Sequence, residues 1–103
     1  MRIVSQRRFR DAAALYPNDE AALLRVSKAL SHGRYVTPDN LKATFPSLDR
    51  FKYRDKWWVI DIGGNNLRLI AYISFESQEL FVKHIVTHKE YDRLTDHYRS
   101  NKE

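Results

Sequence analysis

Apolar side chains change their spacing near residue 49, from a helical recurrence before it to a period of two after it. Phe9, Ala12, Ala13 and Tyr16 predict a helix that Ser5 caps and Pro17 ends. Its outer face is basic, with Arg7, Arg8 and Arg10. A second helix is expected from Asn18, where Asp19 and Glu20 complement the positive helix start. It runs through Leu23, Val26 and Leu30 to Gly33. The two pieces predict a helical hairpin. Thr37 and Pro38 suit the cap and first position of a short helix that Pro46 ends.

From Asp49 the alternation predicts strands near 50–54, 57–62, 67–75 and 79–86. They are separated by Asp55-Lys56, by Gly63-Gly64-Asn65-Asn66 and by Glu76-Ser77-Gln78, so an antiparallel meander follows. Thr87-His88-Lys89-Glu90 matches a capping box, and Tyr91, Leu94 and Tyr98 then form an apolar stripe. Residues 99–103 have nothing to bury and are expected to fray. The fold class is α+β: an N-terminal helical hairpin packed on an antiparallel sheet, with a short C-terminal helix. At 103 residues the chain suits one core, so a single domain over 1–103 is expected.

Eighteen Lys and Arg against 13 Asp and Glu leave a net charge of +5, which favours a polyanionic partner. The absence of cysteine excludes disulfides, thiolate nucleophiles and cysteine zinc sites. His32, His84, His88 and His97 lack metal-ligand spacing, so neither a metal nor another cofactor is expected. No apolar run approaches the roughly 20 residues of a membrane span, and the start lacks a secretory apolar stretch; a cytoplasmic protein without a membrane partner is expected. There is no P-loop, dinucleotide fingerprint or serine elbow.

Three constellations remain. Leu67, Leu69, Ala71, Ile73 and Phe75 share one strand face as a floor for the early helices, leaving Arg68 with Ile70, Tyr72 and Ser74 on the other. An arginine in so apolar a strand needs an anion: either a carboxylate such as Asp61 or a bound phosphate. Arg50, Lys52, Arg54 and Lys56 alternate with Phe51, Tyr53 and Asp55, so an extended chain would form a rail for phosphates, or an edge strand guarded by its charges. His88, Lys89 and Tyr91 open the last helix at the positive end of its dipole, where a phosphate is attracted; Glu90 is assigned to the cap. His84 reads as a packed polar residue. Trp57 and Trp58 point to opposite faces, so at most one is core and the other could stack on a base or pack against a partner.

The stretch LKATFPSLDRFKYRDKWWVIDIGGNNLRLIAYISF, followed by FVKHIVTHKEYDRLT, resembles the HigB toxins of the RelE superfamily. The likeness spans nearly the whole chain, including an opening short strand and a DAA..YP helix. It implies a ribosome-dependent mRNA endonuclease, acting without a metal in the decoding A site (30S) of the ribosome. A HigA-like helix-turn-helix antitoxin would neutralise it, and operator DNA would be bound only through the toxin–antitoxin complex. It also implies catalytic roles for Arg68, His88 and Tyr91, with Lys52 and Lys56 holding the RNA and Lys89 in reserve. Two other readings stay open: a RelE-fold toxin without nuclease activity, like the ParE-type gyrase poisons, and a basic module that only binds RNA or ribosomes.

Overall fold

Apolar residues on both sides of Leu67–Ser74 force that strand into the middle of the sheet, because neither face can be left to water. The computed structural model describes residues 1–101. In chain order the elements are β1 (Arg2–Val4), α1 (Arg7–Leu15), a 3-10 turn (Pro17–Asp19), α2 (Glu20–His32), α3 (Pro38–Thr44), β2 (Asp49–Arg50), β3 (Trp57–Ile62), β4 (Leu67–Ser74), β5 (Glu79–Thr87) and α4 (His88–Ser100). The sheet order is β1-β5-β4-β3-β2. Pairing is antiparallel from β2 to β5, as the alternation predicts, whereas β1 adds to β5 in parallel. The α+β architecture is therefore as expected, with a mixed sheet in place of a purely antiparallel one.

Two cores lie on opposite faces. Leu67, Leu69, Ala71 and Ile73 meet Phe9, Leu23, Leu30 and Leu41 of the first three helices. On the other face Ile70, Val59 and Phe51 are covered by Tyr91, Leu94 and Tyr98 of α4. No residue of α4 is itself fully buried, so a half-buried stripe holds this helix.

Turn and cap chemistry explains most of the boundaries. Thr37 Oγ1 accepts from Asn40 N and Thr87 Oγ1 from Glu90 N, both as expected. The start of α1 differs: Gln6 precedes it and Ser5 takes a left-handed φ of 73° in the preceding turn, its carbonyl accepting from Arg8 N. The start of α2 is also later than expected, because Pro17 closes a 3-10 turn first and Asp19 turns its carboxylate to Asn66 Nδ2 at 2.9 Å. Gly33 ends α2 in extended geometry; its missing side chain serves the Tyr35 ring, which would lie 2.3 Å from a Cβ there. Gly63 has a φ of 64°, the left-handed turn that joins β3 to β4.

Residues 99 and 100 lie in the last turn of α4, and 102–103 of the expected tail lie outside the described residues. Arg54 closes this helix end. Its guanidinium donates to the carbonyls of Tyr98 (3.3 Å) and Asn101 (2.7 Å) and lies 4.6 Å from the Tyr98 ring centroid. These bonds satisfy carbonyls that a helix end leaves open.

Candidate active site

The hairpin 63–66 sets the site. Counting outward from it, Ile62 pairs with Leu67 and Asp61 with Arg68, so the two charged side chains share one sheet face. At the far edge Leu67 pairs with Thr87, which brings the start of α4 over the same place. Arg68 Nη1 donates to Asp61 Oδ1 at 3.1 Å, Nε donates to His88 Nδ1 at 3.1 Å, and the guanidinium carbon lies 4.8 Å from the Tyr91 ring centroid. The three residues expected to do chemistry therefore converge. The carboxylate is present too, but it takes only one edge of the guanidinium. Nη2 meets no partner among the described residues, and a guanidinium has five donor hydrogens.

An accepting Nδ1 must carry a lone pair, so the proton of the neutral His88 ring resides on Nε2. His88 and Lys89 are exposed in the first turn of α4 and Tyr91 is half-buried. A cation, a proton-carrying nitrogen and the positive end of a helix thus surround one spot, an arrangement that suits a phosphodiester.

The basic rail does not form. Only Asp49–Arg50 is strand, and residues 51–56 fold into turns closed by Arg54 N to the Phe51 carbonyl (3.3 Å) and Trp57 N to the Arg54 carbonyl (3.4 Å). The turns carry Phe51, 2% exposed, into the second core, where Tyr53 and Trp57 pack against it. The four cations consequently separate. Arg50 lies over Trp58 and Lys56 beside it on the α1–α3 face, Lys52 sits 5.6 Å from the Tyr53 ring on the α4 side, and Arg54 is spent on the end of α4. Trp57 and Trp58 do face opposite ways, but both are half-buried, against Tyr98 and Phe75 respectively.

Asp61 was visible in the sequence only as one possible partner for Arg68; the signal that selects it is its mirror position across the turn. His84 packs as expected, its Nε2 2.8 Å from the Tyr98 hydroxyl. Burial, then the charges of Arg8 and Lys83, lower its pKa, so it stays uncharged at neutral pH.

Glu90 anchors the helix that carries His88. Its Oε1 accepts from Thr87 N (3.2 Å), Thr87 Oγ1 (3.1 Å) and the Tyr16 hydroxyl (3.0 Å), tying α4 to the end of α1. The Thr87 backbone bond, foremost, holds the Glu90 carboxyl below its usual pKa, and burial together with the same carboxylate raises that of Tyr16. A lowered folded pKa means that the stabilisation is present above the unfolded carboxylate value and is lost as pH falls through the folded one. Glu90→Ala should therefore lower unfolding free energy by about 1 kcal/mol at neutral pH. The deficit should shrink on acidification through the carboxylate range, as urea titrations at several pH values will show. A deficit unchanged by acid would contradict the capping role.

Among the described residues no helix is long and apolar enough to cross a membrane. Residues 19–94 match the family model HigB toxin, described as the RelE-like toxic component of a toxin–antitoxin system. An mRNA interferase HigB from Escherichia coli O6:H1 is 50% identical over 103 residues, the whole of both chains. An mRNA interferase toxin HigB from Escherichia coli K12 is 42% identical over 100 residues, covering 97% of this chain and 96% of its own length. The mRNA interferase HigB of Shigella flexneri matches to the same extent.

Proposed function

The chain belongs to the HigB toxin family, and on that premise we propose that it arrests translation by cutting messenger RNA at the Arg68, His88 and Tyr91 centre. It is the toxin of a toxin–antitoxin system and an mRNA endoribonuclease, with an antitoxin as partner.

The observation that carries the assignment of the centre is the Arg68 guanidinium, which bonds His88 and stacks on Tyr91 while Nη2 meets no partner among the described residues. In the reaction the 2′-OH of one nucleotide attacks its own 3′-phosphate. The 2′ proton leaves, the bond from phosphorus to the 5′-oxygen breaks, that oxygen gains a proton, and a 2′,3′-cyclic phosphate remains. Arg68 holds the extra negative charge of the crowded phosphorane. His88 is the proton-transfer residue: once Arg68 shifts its bond from Nδ1 to the phosphate, Nδ1 takes up the 2′ proton while Nε2–H passes to the 5′-oxygen, and Tyr91 orients the guanidinium and the substrate against it. No step needs a metal.

Lys89 and Lys52, on the same side of the sheet, steer the RNA backbone, whereas Arg54 supports it indirectly by holding α4. The message is taken in the decoding A site of the ribosome, in the cytoplasm, and the chain works as one domain. The antitoxin is a HigA-like helix-turn-helix protein through which the pair reaches its operator.

His88→Ala should slow ribosome-dependent cleavage about a hundredfold, the lower end for a lost proton-transfer group because Arg68 remains. Mapping mRNA 5′ ends after tightly controlled expression measures it. Undiminished cleavage by that variant would remove His88 from the mechanism.

A further inference from the structure

The sheet face opposite the active site carries an aromatic ring and two cations of its own. Trp58 on β3 pairs across the sheet edge with Arg50 on β2, and both face the α1–α3 side. Beside them opens a cavity of about 380 Å3, lined among others by Arg50, Lys56, Trp58, Phe75, Asp55 and Glu76. Phe75 meets Trp58 edge-on, with ring centroids 6.0 Å apart at 89°, which fixes the indole plane. The Arg50 guanidinium lies 5.6 Å from the Trp58 ring centroid. Neither Arg50 nor Lys56 makes an ion pair among the described residues, and both are exposed.

Lys56 is held there by its backbone. Its φ is +62°, a left-handed conformation that a lysine rarely adopts, and Ile73 N clamps it by donating to the Lys56 carbonyl at 3.0 Å.

We propose that this cavity is an RNA subsite that takes one unpaired nucleotide, its base against Trp58 and its phosphate between Arg50 and Lys56. The proposal rests on the nuclease reading and extends it to a second point of grip. A flat aromatic, two cations with no ion-pair partner among the described residues and a volume suited to a small ligand are what single-stranded RNA recognition uses. The carboxylates of Asp55 and Glu76 accept from a base that carries an exocyclic amino group and disfavour a second phosphate. An acidic peptide would meet those same two carboxylates, which is why RNA fits better.

Titration of the full-length protein with AMP, followed by NMR, should shift the Trp58 indole N–H and leave that of Trp57 in place, with UMP binding more weakly. The double variant Arg50→Ala/Lys56→Ala, which changes only exposed side chains, should bind AMP and a single-stranded RNA decamer about tenfold more weakly. Wild-type affinity in that variant, an unmoved Trp58, or equal binding of UMP would overturn the subsite as described, leaving the Arg68 centre to be judged by its own variants. Weaker sedimentation of the variant with mRNA-free small ribosomal particles would identify the nucleotide as ribosomal, and retained sedimentation with slower cleavage as message; each supports the proposal. Loss of antitoxin binding with AMP binding intact would make the cavity a protein-docking surface and overturn it.

Discussion

Arg68→Ala is expected to reduce mRNA cleavage about a thousandfold while leaving a folded protein. Two losses combine. The cation that offsets charge on the phosphorane disappears, and His88 loses the donor that fixes its ring and tautomer. The arginine is one-fifth exposed and Asp61 is one-quarter exposed even beside it, so water can reach the freed carboxylate and the stability cost stays modest. Arg68→Lys should recover little, since an ammonium does not offer separate donors to Asp61, His88 and a phosphate in one plane. The measurement is ribosome-dependent cleavage of a defined message, with circular dichroism as the fold control. If Arg68→Ala and His88→Ala act on one centre, the double variant should cost far less than the product of the single losses. Cleavage at the wild-type rate by Arg68→Ala would end the assignment.

Phe51→Ala should cost about 3–5 kcal/mol of stability, a large share of what a domain of this size possesses. The ring is 2% exposed and lies edge-on to Tyr53, Tyr91 and Tyr98, with Trp57 at 5.8 Å. It is the centre on which the loop, β3 and α4 all close. Because α4 has no fully buried side chain of its own, loss of the Phe51 ring loosens the helix that carries His88 and Tyr91. Urea unfolding followed by tryptophan emission should show the loss, and cleavage should fall even at temperatures where the variant is folded. Phe51→Leu, which keeps most of the apolar volume, should recover much of both. A cost below about 1 kcal/mol would show that α4 is held by other means.

Much of the site could be read from residue order. Arg68 stands out because a charge in Leu67–Ser74 must find an anion, and the capping box places His88 and Tyr91 in the first turn of α4 whatever the tertiary structure. Their meeting with Arg68 needs the pairing of Leu67 with Thr87, which turn counting alone does not provide. The basic rail failed for the converse reason. Alternation of Arg50, Lys52, Arg54 and Lys56 is compatible with a strand, but the strand ends at Arg50, turns follow, and Arg54 closes on the end of α4.

His84 shows the same limit inside a regular element. Strict alternation would put Val82, His84 and Val86 on one face. The register instead passes from Ile70–His84 to Ala71–Val82, so Lys83 is an extra residue, and the bulge lets both Val82 and Ile85 reach the helical core while His84 turns to Tyr98.

By itself the sequence determined the order of helices and strands, the caps at Thr37 and Thr87 and the turn at 63–66, and its resemblance to known toxins gave the family. The local features follow from contacts within a few residues, where backbone geometry leaves few options. Only the tertiary structure decided that β1 joins β5 in parallel, that Arg54 closes α4, that Lys83 bulges, and that the four cations of 50–56 part to two faces. Each of those depends on residues far apart in the chain competing to bury the same apolar surface, and that competition is settled by packing rather than by local spacing.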